Sequence, residues 1–101
     1  MSKIQYCITS NLDDTKNKLS EIIRHEFKKD YIKTSWNNHE LCIRIEKVGA
    51  SEIKIALTQE GDSVFLKESS RNISMMHKPF VSEVERRVHL VMEEKLGAKK
   101  V

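Results

Sequence analysis

The 101-residue sequence predicts an α+β fold, an antiparallel sheet with two helices packed on one face, in the order β-α-β-β-β-β-α. Three observations predict it. Apolar residues recur at helical spacing in two segments, from Leu12 to Phe27 and from Phe80 to Met92. The stretch between them alternates apolar and polar residues and is broken by short turn signals. One register then keeps every large aliphatic of three consecutive strands on a single face, which a one-residue slip would destroy. A helix with one apolar stripe needs an apolar partner surface, and this sheet face is that surface.

The first strand is expected over Lys3 to Ser10, with Ile4, Tyr6 and Ile8 on one side and Lys3, Gln5, Cys7 and Thr9 on the other. Ser10 or Asn11 then caps a helix whose positive first turn holds Asp13 and Asp14. Leu12, Leu19, Ile22, Ile23 and Phe27 form its inner face, and it should end near Lys28-Lys29-Asp30. In the next strand Ile32, Thr34 and Trp36 alternate with Lys33 and Ser35, and Asn37-Asn38-His39 makes a turn. Leu41, Ile43 and Ile45 alternate with Cys42, Arg44 and Glu46, and Gly49 sits in the following turn. Ile53, Ile55 and Leu57 precede a turn at Gly61-Asp62, after which come Val64 and Leu66.

The expected pairs are Ile45 with Ile53, Ile43 with Ile55, Leu41 with Leu57, Leu57 with Val64 and Ile55 with Leu66. Phe65 then points to the outer face, beside Lys33, Arg44, Glu46, Lys54 and Lys67. Ile73, Met75 and Met76 should cross one edge of the core. Pro79 suits the first turn of the last helix, where a missing N–H costs nothing. Phe80, Val81, Val84, Val88, Val91 and Met92 make its stripe, and the helix should run to Leu96. Gly97 is placed to end it, and Lys99 and Lys100 suit the negative end of its dipole.

The length allows one domain, residues 1–101. Hydrophobic content of 39% is enough to fold, and 33% charged residues keep the chain soluble. The net charge of +3 is spread among interleaved acids and bases, so nucleic acid is not an expected partner. No apolar run reaches the length of a membrane span, and Met1-Ser2-Lys3-Ile4 lacks the apolar block of a signal peptide. A cytoplasmic protein with Cys7 and Cys42 as free thiols is expected.

No catalytic, cofactor or metal residues are expected. His39 and Cys42 lack the second ligand pair that a zinc site brings. His25, His39, His77 and His89 are available bases without a nucleophile signature. Glu83 and Glu85 diverge on a helix and do not form an acid–base couple. His77 reads as an exposed loop residue rather than a helix cap or anion site. An apolar ligand between sheet and last helix would be lined by Trp36, Met75, Met76, Phe80, Val84 and Met92. Phe65 and Leu90, both outside the core pattern, mark the expected interface with a second copy or a protein partner.

Trp36 near the start of the strand run, Met75, Met76, Lys78-Pro79-Phe80, Val84-Glu85 and Val88 form a short pattern. It resembles the small bacterial proteins of the polyhydroxyalkanoic acid system, or granule-region, family. The resemblance covers the element order over most of the chain. It implies a non-enzymatic role near polyester granules or their enzymes and brings no catalytic residues. The order of elements also resembles, more loosely, a pared-down helix-grip domain, in which a long C-terminal helix covers a curved sheet. Three readings follow: an accessory or interaction protein, a binder of a small acyl-type ligand, and an RNA-binding module. Lys28, Lys29, Lys99 and Lys100 motivate the last, but only Lys78 and His77 stand where duplex-RNA-binding domains put their basic cluster.

Overall fold

The computed structural model of the chain describes residues 4–47 and 49–101. The outward placement expected for Lys3 lies outside them. The elements are β1 (Gln5–Thr9), α1 (Leu12–Glu26), β2 (Ile32–Asn37), β3 (Glu40–Glu46), β4 (Ala50–Glu60), β5 (Ser63–Asn72), α2 (Lys78–Leu90) and β6 (Lys99–Lys100). A 3-10 turn, Met75–His77, leads into α2, and a π-helical turn, Val91–Lys95, continues it. The strands form one antiparallel sheet in the order β2-β3-β4-β5-β1-β6. Both helices pack on one face, as the two stripes require.

Asn11 caps α1, accepting a hydrogen bond from the Asp14 backbone N–H at 2.8 Å. Leu19, Ile23 and Phe27 bury the inner face of α1 against the sheet. Val81, Val84 and Val88 do the same for α2. Their partners are Tyr6, Leu41, Ile43, Ile45, Ile53, Ile55, Leu57, Val64 and Leu66, all buried in one cluster. The outer face of the sheet carries Lys33, Arg44, Glu46, Lys54 and Lys67, with ion pairs from Arg44 to Glu46 and Glu52.

The register differs from expectation by two residues in both hairpins. Ile43 pairs with Ile53, Leu41 with Ile55 and Ile45 with Ser51. Leu57 pairs with Leu66 rather than Val64, and Gly61-Asp62 alone makes the turn, with Gly61 at φ +63°. A two-residue offset leaves each side chain on its face, so alternation alone does not detect it. Ser51 takes the place opposite Ile45 because a histidine satisfies its hydroxyl. Further along β5 the pairing shifts between Lys54 and Ile55, so that Ser69 becomes an extra residue. This bulge moves Arg71 onto the core side, opposite Ile53.

Three other expectations change. The last helix is α-helical only to Leu90, and the π turn closes with the Leu96 N–H on the Val91 carbonyl at 2.8 Å. That wider turn keeps Val91, Met92 and Leu96 buried together. Lys99 and Lys100 do not serve the helix end; Gly97, at φ +79°, reverses the chain and they pair with Cys7 and Tyr6 as a short edge strand. Met75 and Met76 do not cross the core edge but face solvent, whereas Ile73 packs against the core.

Candidate functional site

The β3–β4 turn, the start of β2 and the entry to α2 meet at one end of the sheet. Ser51, the first core-facing residue of β4, and His77, the last of the 3-10 turn, are each only 1% exposed. His77 Nε2 lies 2.5 Å from the Lys47 carbonyl, which only accepts, so Nε2 carries the proton. His77 Nδ1 then accepts from the Ser51 hydroxyl at 2.6 Å. The same hydroxyl oxygen accepts the Ser74 N–H at 2.8 Å. Every polar atom of this group is satisfied, and together they pin the turn to the sheet. A serine donating to a histidine resembles a nucleophile and its base. Here the pair is sealed, so its chemistry is anchoring. His77 is therefore not the exposed loop residue expected of it.

The anchored turn presents Met75 at 81% and Met76 at 64% exposure. Beside it Phe80 meets Tyr31, with ring centroids 6.2 Å apart. Lys47 Nζ lies 4.9 Å from the Tyr31 centroid and 5.0 Å from that of Phe80. A crevice of about 150 Å³ opens between the end of α1 and the first half of α2. Phe27, Tyr31, Ile32, Phe80 and Val84 line it, with His25, Lys28 and Lys29 at its rim. Arg87 closes one side, reaching Glu83 at 3.7 Å and Glu26 at 3.8 Å.

The six residues expected to line an apolar ligand site do not converge. Met75, Met76 and Phe80 share the end just described. Val84 is buried but reaches the floor of the crevice beside Phe80, whereas Met92 lies in the core. Trp36 lies on the other flank of α1, donating to Ser20 Oγ at 2.8 Å with Lys16 Nζ 5.0 Å from its ring. Phe65 and Leu90 occupy different layers. Phe65 is half-buried on the outer sheet face, opposite Cys7 and Thr58, with Lys67 Nζ 5.4 Å from its ring. Leu90, 39% exposed, is on the solvent side of α2.

Cys7 and Cys42 share the outer face, but the sheet order puts them three strands apart, roughly 14 Å at about 4.8 Å per strand. Cys42 donates to Glu52 at 3.2 Å, and burial, followed by that bond, pushes its thiol pKa up. Among the described residues, no group of three His, Cys, Asp or Glu side chains is placed to hold a metal ion. No helix among them is long and apolar enough to cross a membrane.

Two polar groups escaped the sequence reading. Arg71 bridges Glu68 at 2.6 Å and Glu85 of α2 at 2.8 Å. Burial opposes its charge, but bonds and charge from both carboxylates outweigh that and hold its pKa above the ordinary value. Near the other end of α2, the Tyr6 hydroxyl donates to Glu93 at 2.9 Å and is also bonded to His89 Nδ1. Since the phenol has one proton to give, Nδ1 is the donor in the second bond. His89 Nε2 is buried without a partner. Burial first, then Glu93, pushes the Tyr6 pKa up. The available signal was a polar residue at a core-facing step: Ser51 before Ile53, Glu68 after Leu66 and Glu85 beside Val84.

Comparison with protein-family models, with curated proteins and with solved structures gives no match.

Proposed function

We propose that this chain is a small non-enzymatic accessory protein that docks through the end carrying Met75, Met76, Tyr31 and Phe80. The observation that carries the reading is the exposure of two adjacent methionines on a turn held rigid by Ser51 and His77. Folding gains little from Met75 and Met76, so their apolar surface remains to be covered by a partner. Methionine adapts to irregular apolar surfaces. The partner to which the reading commits is the surface of a polyhydroxyalkanoate granule, on the strength of the resemblance in the Trp36 to Val88 pattern.

Co-sedimentation with purified granules tests it. The wild-type chain should pellet with them, and M75S/M76S should lose at least about ten-fold in affinity, given roughly 1.5–3 kcal/mol per fully buried apolar side chain. Equal sedimentation of wild type and variant, or none by the wild type, would sink the reading.

A second reading, an acyl-type ligand, is favoured by the crevice between α1 and α2. At about 150 Å³ it is smaller than the roughly 300–1,000 Å³ of ordinary ligand pockets, so it suits a short chain end. Native mass spectrometry of gently purified protein should then show a discrete adduct that F80A removes. An adduct unaffected by F80A counts against it.

A further inference from the structure

The two edges of the sheet are unequal. One is the two-residue β6, and the chain beyond it is tied down where the Val101 N–H meets the Gln5 carbonyl at 3.1 Å. The other is β2, which pairs with β3 over six consecutive residues without a bulge. Neither proline nor irregularity blunts it. Its outer side is therefore a row of backbone donors and acceptors, of which the first donor, the Ile32 N–H, is taken by the Lys29 carbonyl at 3.0 Å.

Which residues supply that row follows from the ladder. The Tyr31 carbonyl accepts the Glu46 N–H and so points toward β3. Peptide groups alternate along a strand, so those of Ile32, Thr34 and Trp36 point away from β3. The same three residues face the helices. Beside them a crevice of about 320 Å³ opens between α1 and the strand, lined by Ser20, Ile23, Arg24, Phe27, Thr34, Trp36 and Leu41. Ile32 and Trp36 are each only half-buried.

We propose that a second copy of this chain pairs with β2 antiparallel about a twofold axis through Thr34, extending the sheet from one copy into the other. Antiparallel self-pairing leaves three central registers to compare. Centring on Lys33 sets two like charges face to face. Centring on Ser35 pairs Thr34 with Trp36 and leaves Ile32 without a partner. Centring on Thr34 pairs Ile32 with Trp36 twice and Thr34 with itself, and sets Lys33 against Ser35. The Ile32 N–H is already held by the Lys29 carbonyl, so this register bonds Thr34 to itself and each Trp36 N–H to the Ile32 carbonyl of the other copy, and of the three it alone also sets the apolar Ile32 and Trp36 side by side. It also lays the partner's Ile32 and Trp36 toward the apolar floor of the crevice. The occupant is a second copy because the strand is complementary to itself in backbone and apolar pattern, with each Lys33 facing a neutral Ser35.

Sedimentation equilibrium of the full chain tests this independently of granule binding. The wild type should show a monomer–dimer equilibrium. T34K, which opposes two ammonium groups at the axis, should weaken the dimer at least about ten-fold. T34V, which keeps the shape without charge, should leave the dimer intact or tighten it. Circular dichroism checks that each variant remains folded. T34P supplies a second break, since it removes only an outward N–H on an edge strand. A wild type that stays monomeric at about 1 mM overturns the proposal. So does a dimer that folded T34K and T34P leave unchanged, since its contact would then lie elsewhere.

Discussion

His77 and His89 stand near opposite ends of the same helix, His77 buried and His89 half-buried, and each ring joins a hydrogen-bonded group. His77 spends each ring nitrogen on a partner, the Lys47 carbonyl and the Ser51 hydroxyl. His89 spends one on Tyr6 and leaves Nε2 buried with none. A buried polar atom that has surrendered water and gained nothing costs about 1–3 kcal/mol. The first group thus holds the 3-10 turn in place, while the second keeps its histidine at a loss. Burial of the same residue type stabilises only where the bookkeeping of donors and acceptors closes.

Breaking the closed group should have the largest effect. H77A leaves the Lys47 carbonyl without its donor and the Ser51 hydroxyl proton without its acceptor and opens a cavity, so urea melts should show a loss of about 3 kcal/mol. The middle of the helix tests whether charge changes this logic. R71M strands Glu68 and Glu85 near each other, and with their slight solvent access the loss should be about 2–3 kcal/mol. A double variant with E85Q should recover part of it. A loss below about 0.5 kcal/mol would show that the ion pairs do not hold α2.

Tyr6 gives the comparison a pH dependence. Its phenol pKa is raised in the folded chain, whereas the unfolded chain ionises near the ordinary 10.0. The stability this contributes is complete below that pH and is lost as pH rises beyond it. Y6F should cost about 1 kcal/mol at neutral pH and flatten the alkaline part of the stability profile. The slope from Cys42, whose thiol is likewise raised from 9.0, should remain. An unchanged alkaline slope in Y6F would remove Tyr6 from the account. The smallest effect belongs to H89L, which deletes the orphan nitrogen and leaves Tyr6 its bond to Glu93. It should match the wild type within about 0.5 kcal/mol or exceed it. A loss like that of H77A would erase the difference between the two histidines.

The elements of the fold were legible because burial imposes a period. Alternation marked β2 to β5, and the Asn11, Gly61 and Gly97 signals sit where the structure uses them. Pairing was legible only modulo two, because Ile53 opposite Ile43 and Ile53 opposite Ile45 expose the same face. β6 is too short to carry a pattern, and two lysines are a natural helix end in sequence. The polar groups were hidden for another reason. Ser51 is explained by His77, Glu85 by Arg71 and Tyr6 by Glu93, each far away in the chain. The bulge at Ser69 decides on which side Arg71 falls, and periodicity cannot announce a break in itself. At the candidate docking end, Met75 and Met76 were singled out, but their direction depends on the His77 anchor.

The position of β1 has a consequence for how the chain is made. Tyr6 lies between Leu66 of β5 and Lys100 of β6. In the meander, β3, β4 and β5 each pair with the strand before them, so these hairpins need only short loop closures and can form early. β1 has no such neighbour, because β2, the next strand in the chain, lies at the opposite edge of the sheet. It waits for β5 on one side and for β6 on the other. Until β5 has been made, the segment with Ile4, Tyr6 and Ile8 is apolar and unpaired, a target for chaperones or for another nascent copy.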